Sequence, residues 1–401
     1  MRQEDFRARE MPYELWLCSF PGMGNRQLCR LVELCGDAGR VYFAGTDQWR
    51  QVLSEKQVEN LKRFTEGWKP ETEYMKFQEK GIRLVTLADA AYPERLREIP
   101  DAPYGLFVRG QQPGEEPSVA VIGARDCSQY GSLVARELGE MLGRYGITVV
   151  SGMARGVDGI SQQAALDAGG SSWGVLGSGV DVCYPPQNRE LYDKLPIRGC
   201  LVSSYPLGTP ALSRNFPPRN RIVSGLADAV VVVEAREKSG TLITVDMALE
   251  QGREVYVVPG RITDRLSDGC NRLIRQGAIP LLNPEDLMKE LAELRQRKRR
   301  PIADKPSGSQ NVQGPEHNFA ADMLLPLLPP ELGAVYNALE LTPRTVQEIC
   351  EHLPDKYRHM NLHTCLMRLC MEGLAEQVSP GCFCKKSLEI SKSAFYKSSH
   401  K

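Results

Sequence analysis

Between Ser118 and Asp158 two apolar, β-branched runs, SVAVIG and ITVVSG, each end in a glycine, and an arginine follows each glycine within three residues: Gly123 then Arg125, Gly152 then Arg155. Such runs, separated by a helical stretch, read as strands of an open parallel sheet, whose C-terminal ends meet along one edge where ligands bind. A glycine lets the backbone approach a ligand closely, and the N–H groups that open the following helix favour an anion. With an arginine in each loop, the pattern predicts a phosphate-facing edge.

Strands and helices alternate from Ser118 onward, the pattern of a parallel sheet covered on both faces. The sequence predicts strands at residues 119–122, 148–150, 173–176, 201–203, 229–233, 254–258 and 279–282. AVVVVEA (Ala229 to Ala235) is the clearest, a near-continuous run suited to burial on both faces. Helices are predicted at 129–144, 159–167, 189–194, 221–226, 242–251 and 271–275, with Asn283 capping another that opens PEDLMKEL. The expected fold class is α/β, an extended Rossmann-like parallel sheet occupying residues 81–294. Within it, residues 81–110 read as a connecting layer of two short apolar runs interrupted by Pro100 and Pro103.

The flanks differ in composition. Residues 1–80 read as a small helical domain, with helices over 11–19, over 54–64 and over 71–80, and one that Asn25 caps and that runs through Leu34. The PGMG turn between the first two is either a plain helical hairpin or one whose N–H groups hold a nucleic-acid phosphate. Residues 295–328 begin with RQRKRR and turn rich in Pro, Ser, Gly, Gln and Asn, the composition of a flexible linker. Residues 329–384 contain three amphipathic helical segments and two short strands about a Pro-Gly turn, a winged-helix pattern, and 385–401 form a tail. Arg358, His359, Asn361 and His363 would face DNA there, although such modules also make protein contacts.

Composition removes several alternatives. Fifty basic residues balance fifty acidic ones, so nucleic-acid binding would have to come from local patches. No run approaches the ~18 apolar residues of a membrane span. The opening MRQEDFRARE has no apolar signal-peptide core, and a cytoplasmic protein without membrane partners is expected. The twelve cysteines then read as reduced thiols, and Cys382 and Cys384 are too closely spaced for a usual zinc pair. All five histidines lie at position 317 or later, which deprives the sheet region of the commonest general base. No G-x-G-x-x-G or G-x-x-x-x-G-K-[ST] is present, so neither a dinucleotide cofactor nor a P-loop nucleotide is expected. No cofactor, metal site or catalytic residue is predicted.

Two further stretches join the anion-binding edge. SRNFPPRNR places Arg214, Arg219 and Arg221 around a double proline, which reads as a stiff loop carrying a guanidinium clamp. EAREKSGT places Lys238, Ser239, Gly240 and Thr241 at a strand-to-helix turn. A row of anion sites along one edge suits a polymeric phosphate better than one nucleotide, which makes single-stranded nucleic acid the expected ligand.

YPERL, VAVIGAR, VVSGMARGVD, YPPQNREL, FPPRNRIVSGLADAVVVVEA, SGTLIT, GREVYVVPG and CNRLIRQGA occur in the order of the DNA-processing protein A (DprA/Smf) family, which the chain resembles from about Gly81 to Leu282. The flanks resemble that family's N-terminal helical, SAM-like domain and C-terminal winged helix. The resemblance implies a non-enzymatic homodimer that binds single-stranded DNA and loads the RecA recombinase during natural transformation. It implies DNA contacts from Gly123, Ala124 and Arg125, from Ser151, Gly152, Arg155, Gly156 and Asp158, from Arg219, Asn220 and Arg221, and from Ser239, Gly240 and Thr241 beside Lys238. Two positions depart from the family: Gln162 stands where histidine is usual, and Ser204 replaces the acid of SEYP. The competing enzyme class is a Rossmann-like nucleoside-monophosphate phosphoribohydrolase. Its P-G-G-x-G-T-x-x-E loop, laid on SGTLIT, puts Thr244 where the catalytic glutamate belongs.

Overall fold

The computed structural model of the chain describes residues 3–289, 291, 329–340, 344–357, 360–371, 374–379 and 381–385, which fall into two compact units, 1–287 and 288–401. The expected 295–328 linker with its basic run, the tail beyond Lys385, Arg358 and His359 lie outside the described residues.

In the first unit, β3 (Ser118–Ile122), β4 (Thr148–Ser151), β5 (Ser172–Val175), β6 (Cys200–Ser203), β7 (Ala229–Val232), β8 (Glu254–Val257) and β9 (Ile279–Pro280) form the expected parallel sheet. The 81–110 segment is more than a connecting layer. It supplies β1 (Ile82–Thr86) and β2 (Gly105–Gly110), which pair antiparallel with each other and through β2 with β6. The sheet order is β1-β2-β6-β5-β4-β3-β7-β8-β9. Order runs outward in both directions from β3, which makes the β3–β7 boundary the topological switch point, where open α/β sheets bind ligands.

Helices α8 (Gln129–Arg144), α9 (Val157–Asp167), α10 (Arg189–Arg198), α11 (Phe216–Gly225), α12 (Gly240–Glu250) and α13 (Asp268–Arg275) fill the connections. Ser128 caps α8, its hydroxyl accepting the Gly131 N–H. The packing of α8 on α9 is close enough that a Cβ at Gly139 would strike the Ser161 carbonyl. Ala120 and Ile122 of β3 and the valines of β7 and β8 pack with Ile222 and Val223 of α11 in one apolar cluster.

Before the sheet lie α1 (Gln3–Ser19), α2 (Asn25–Cys35), α3 (Ala38–Ala44), α4 (Thr46–Trp49), α5 (Glu55–Gly67) and α6 (Pro70–Gln78). Their apolar faces, including Trp16, Leu31 and Leu61, share a cluster with Phe107, Leu176 and Leu201 of the sheet. Asn25 does not cap α2, which begins with Asn25 itself. Its side chain donates to the Asp101 and Ala102 carbonyls (3.2 and 2.9 Å) and accepts the Tyr104 N–H (2.7 Å). Beside it, Arg26 grips Asp101 through two hydrogen bonds (2.8 and 2.5 Å), and Arg221 of α11 reaches the same carboxylate at 3.1 Å. The Arg26 hydrogen bond is the largest influence holding the Asp101 carboxyl down at about 2. A carboxyl depressed on folding stabilises the fold above its unfolded value near 3.8 and loses that contribution as pH falls toward 2. Asp101→Asn is therefore expected to lower the melting temperature at neutral pH and to flatten its decline between about pH 4 and pH 2, as followed by thermal scans across that range.

In the second unit, helices at 330–338, 346–351 and 362–371 pack with a three-stranded antiparallel sheet in the order β10-β12-β11, comprising β10 (Arg344–Thr345), β11 (Ala375–Ser379) and β12 (Cys382–Lys385). Leu332, Val335, Ile349, Leu366 and Phe383 form its core. Asn361 caps the third helix by accepting the Thr364 N–H (3.2 Å), and His363 is exposed with its ring edge against Phe383.

Candidate nucleic-acid interface

Three loops leave the C-terminal ends of β4, β3 and β7 side by side, and each is fixed from beneath. After β3, Gly123 lies where a Cβ would press on Val157 at 2.7 Å, and its carbonyl accepts the Thr241 hydroxyl (3.3 Å). The Ala124 carbonyl accepts the Val157 N–H at 3.2 Å. Glu234, buried at the end of β7, accepts both the Ser128 N–H (2.8 Å) and its hydroxyl (2.5 Å). Held at both ends, this loop displays Arg125, whose guanidinium lies 5.6 Å from the centre of the Phe216 ring.

The loop after β4 turns its peptide groups inward. Asp158 accepts the Gly152 N–H (3.1 Å) while Arg219 donates to the Gly152 carbonyl (2.8 Å). Gln162, fully buried, accepts the Met153 N–H (3.1 Å) and donates to Ser172 Oγ and the Trp173 carbonyl (3.0 and 3.1 Å). Asn188 donates to the carbonyls of Met153 and Ala154. Met153 sits at φ +55°, a conformation that non-glycine residues rarely adopt. Ser151 is equally occupied, its hydroxyl donating to the Val121 carbonyl (2.7 Å). Gly156, at φ +74°, passes so close to Ala124 that a Cβ would meet that carbonyl. What this loop offers outward is Arg155, half-exposed and paired with Asp126 at 3.3 Å.

The expected guanidinium clamp does not form. Pro217 and Pro218 stand in the first turn of α11, where their missing N–H groups cost nothing, so the helix starts at Phe216 rather than Arg221. Arg214 remains exposed, Arg221 turns to Asp101, and Arg219 is buried at 4 % exposure, donating also to the Val175 carbonyl. Burial lowers Arg219 to about 10, partly offset by Asp158, and burial raises the Asp158 carboxyl against the pull of Arg219 and the loop N–H groups. For both groups burial outweighs the attraction between their charges. Arg219 is the floor of the site rather than a surface clamp.

At the β7 loop, Lys238 is exposed and Gly240 opens α12. Ser239 Oγ is buried without a hydrogen-bond partner among the described residues, beside the first turn of that helix. Gly123, Ala124, Arg125, Gly152, Asn220, Ser239, Gly240 and Thr241 border one cavity of about 510 Å³, with Asp158 and Arg219 in its wall. A second hollow of about 280 Å³ adjoins it, sharing Arg125 and Gly152 and adding Arg155. Ser151, Gly156, Arg221 and Lys238 border neither, and Ser204, half-buried after β6, also stands apart.

Sequence reasoning missed the aromatic wall. Tyr184, 40 % exposed, and Phe216 border both hollows, with ring centroids 5.5 Å apart. They lie 32 positions apart in sequence, and only the YPPQN and FPPRN stretches hinted at either. Arg236, exposed on the β7 loop, also borders the larger cavity.

A family model described as DNA recombination-mediator protein A matches residues 83–292. The chain belongs to the DprA/Smf family. The DNA processing protein DprA of Bacillus subtilis is 39 % identical over 219 residues, 54 % of this chain and 74 % of that protein. Protein Smf of Escherichia coli is 42 % identical over 216 residues, covering 53 % and 58 % respectively. The X-ray structure of DprA from Streptococcus pneumoniae superposes with a TM-score of 0.61 at 33 % identity, over 70 % of this chain and 97 % of that one. As a DprA/Smf member, the chain is a DNA recombination mediator. Among the described residues no helix is long and apolar enough to cross a membrane.

Proposed function

We propose that this protein binds single-stranded DNA along the β4–β3–β7 edge, works as a homodimer, and loads the RecA recombinase onto incoming DNA during natural transformation. The observation that carries the DNA reading is the pairing of displayed cations with an aromatic wall over a rigid floor. Arg125 and Arg155 face outward from loops whose backbone is secured by Glu234, Asp158, Gln162 and Asn188. Tyr184, 40 % exposed, stands beside them, next to a Phe216 ring that carries the Arg125 guanidinium. Cations that track a backbone and aromatic faces that take bases are the two components of sequence-tolerant single-strand binding. Duplex DNA keeps its bases stacked inside and cannot use the rings.

The hydrolase alternative lacks its carboxylate. Thr244 is buried in the cavity wall and brings a hydroxyl to the position where that chemistry needs a glutamate. We read the second unit as a winged helix, with His363 on an exposed face and Asn361 engaged as a helix cap.

The test is a fluorescence-anisotropy titration with a labelled single strand and the matching duplex at several salt concentrations. Wild type is expected to bind the single strand more tightly, with affinity falling as salt rises. Arg125→Ala is expected to weaken binding about tenfold and to make the salt slope shallower by about 0.7, the value of one lost phosphate contact on a single strand. An unchanged slope and affinity would remove Arg125 from the interface.

A further inference from the structure

We infer that the β8–α13 loop, residues 258–267, is a second contact region for the same single strand, with Arg261 and Arg265 meeting phosphates and Ile262 meeting the face of a base. This rests on the sheet-edge reading above. β8 lies parallel to β7 with Val257 opposite Val232, so the loop leaves the edge beside the β7 loop. It is fastened to its neighbours. The Ala235 N–H donates to the Leu266 carbonyl and the Gly269 N–H to the Ala235 carbonyl, both at 2.9 Å. Tyr130, at the start of α8, donates to the Pro259 carbonyl (3.2 Å). Leu266 borders the 510 Å³ cavity, which makes the loop continuous with the site.

The loop is also built to hold its shape. Asn271 accepts the Gly260 N–H (3.3 Å) and donates to the Gly260 carbonyl (3.1 Å), closing its base. Two successive turns, Asp264 N–H to Arg261 carbonyl and Ser267 N–H to Asp264 carbonyl, fold its tip. The Asp264 carboxylate is occupied with the Leu266 N–H (2.9 Å). Of the acids nearby, Glu237 is paired with Arg272 (2.9 Å), and Asp268 lies in the first turn of α13. Arg261 and Arg265 are exposed, and between them Ile262 is 90 % exposed. An apolar side chain displayed on a braced loop between two guanidiniums has little use in water, but it suits a ligand that alternates charged phosphates with apolar base faces.

The experiment compares the salt dependence of binding to labelled oligothymidylate for the full chain and four variants. These are Arg125→Ala, the double change Arg261→Ala with Arg265→Ala, the double change of both to Lys, and Ile262→Ser. The double alanine variant should show a slope shallower than wild type by about 1.4, two phosphate contacts at about 0.7 each. The double lysine variant should keep the wild-type slope, because charge is retained. Ile262→Ser should bind more weakly at an unchanged slope. All should melt with wild type, since these side chains are in solvent. A double alanine variant with the wild-type slope, while Arg125→Ala loses its share, overturns the loop assignment alone. A wild-type protein that does not bind the oligonucleotide overturns the sheet-edge reading and this one with it.

Discussion

Arg219→Met is expected to destabilise the protein by about 3–5 kcal/mol, because two buried backbone carbonyls lose a charged donor at about 1–3 kcal/mol each. Methionine matches the stem of arginine and fills much of its volume, so the effect isolates the guanidinium. Without it the Gly152 and Val175 carbonyls lose their donor, and Asp158 is left without its cationic neighbour. The Asp158 carboxyl, already raised by burial, should rise further. A carboxyl whose folded value lies above its unfolded one takes up a proton more readily when folded, so acidification favours the fold at this group. The variant should therefore recover part of its lost stability as pH is lowered through the mildly acid range, opposite in sign to the contribution of Asp101. Urea denaturation at several pH values reads both effects. Arg219→Lys should fall between, since one ammonium cannot replace a fork that donates to two carbonyls. If Arg219→Met kept its stability and lost only DNA affinity, Arg219 would be a ligand contact and the inward hydrogen bonds would be incidental.

The contrast between Arg125 and Arg219 shows which parts of the site were legible in the sequence. Gly123, Gly152 and the Ser239–Thr241 turn lie at strand-to-helix junctions, where the sequence put them, because such junctions are local. Strand ends, glycines and helix starts are written in adjacent residues. The fate of Arg219 and Arg221 depends on where α11 begins, and the double proline was read as a stiff loop instead of a helical first turn. Once helical, residues two apart point about 200° away from each other, which sends one arginine under the cavity and the other to Asp101. The same limit hid β1 and β2. β2 finds its place in the sheet by pairing with β6, nearly a hundred residues later at Phe107 and Ser203, and β1 finds its own by pairing with β2. Tyr184 and Phe216 meet only in three dimensions. Local chemistry predicted the loops at the sheet edge, while the supports beneath them came from long-range packing.

Gln162 is the clearest of those supports, at the position where the family resemblance led to an expectation of histidine. Gln162→Leu should lower stability by about 3–5 kcal/mol, because it strands two buried backbone groups, the Met153 N–H and the Trp173 carbonyl, at about 1–3 kcal/mol each, besides releasing a strained residue. With Met153 no longer held at φ +55°, the Gly152–Arg155 loop should relax, and single-strand affinity should fall with it. Gln162→His gives the discriminating result. A neutral imidazole has one acceptor and one donor nitrogen, enough to take the Met153 N–H and to serve Ser172 or Trp173. At pH 8 this variant should recover most of the stability and affinity lost by the leucine variant. Protonation turns the acceptor nitrogen into a donor facing the Met153 N–H. Burial depresses a histidine, so the rescue should be present above about pH 6.5 and disappear as pH falls through the lower folded value. Wild-type glutamine cannot titrate and should show no such change from this position. Amide exchange at Met153, measured alongside anisotropy across pH 5 to 8, separates loop loosening from loss of DNA contact. A histidine variant as weak as leucine at pH 8 would mean that the amide's shape, rather than its paired acceptor and donor, holds the loop.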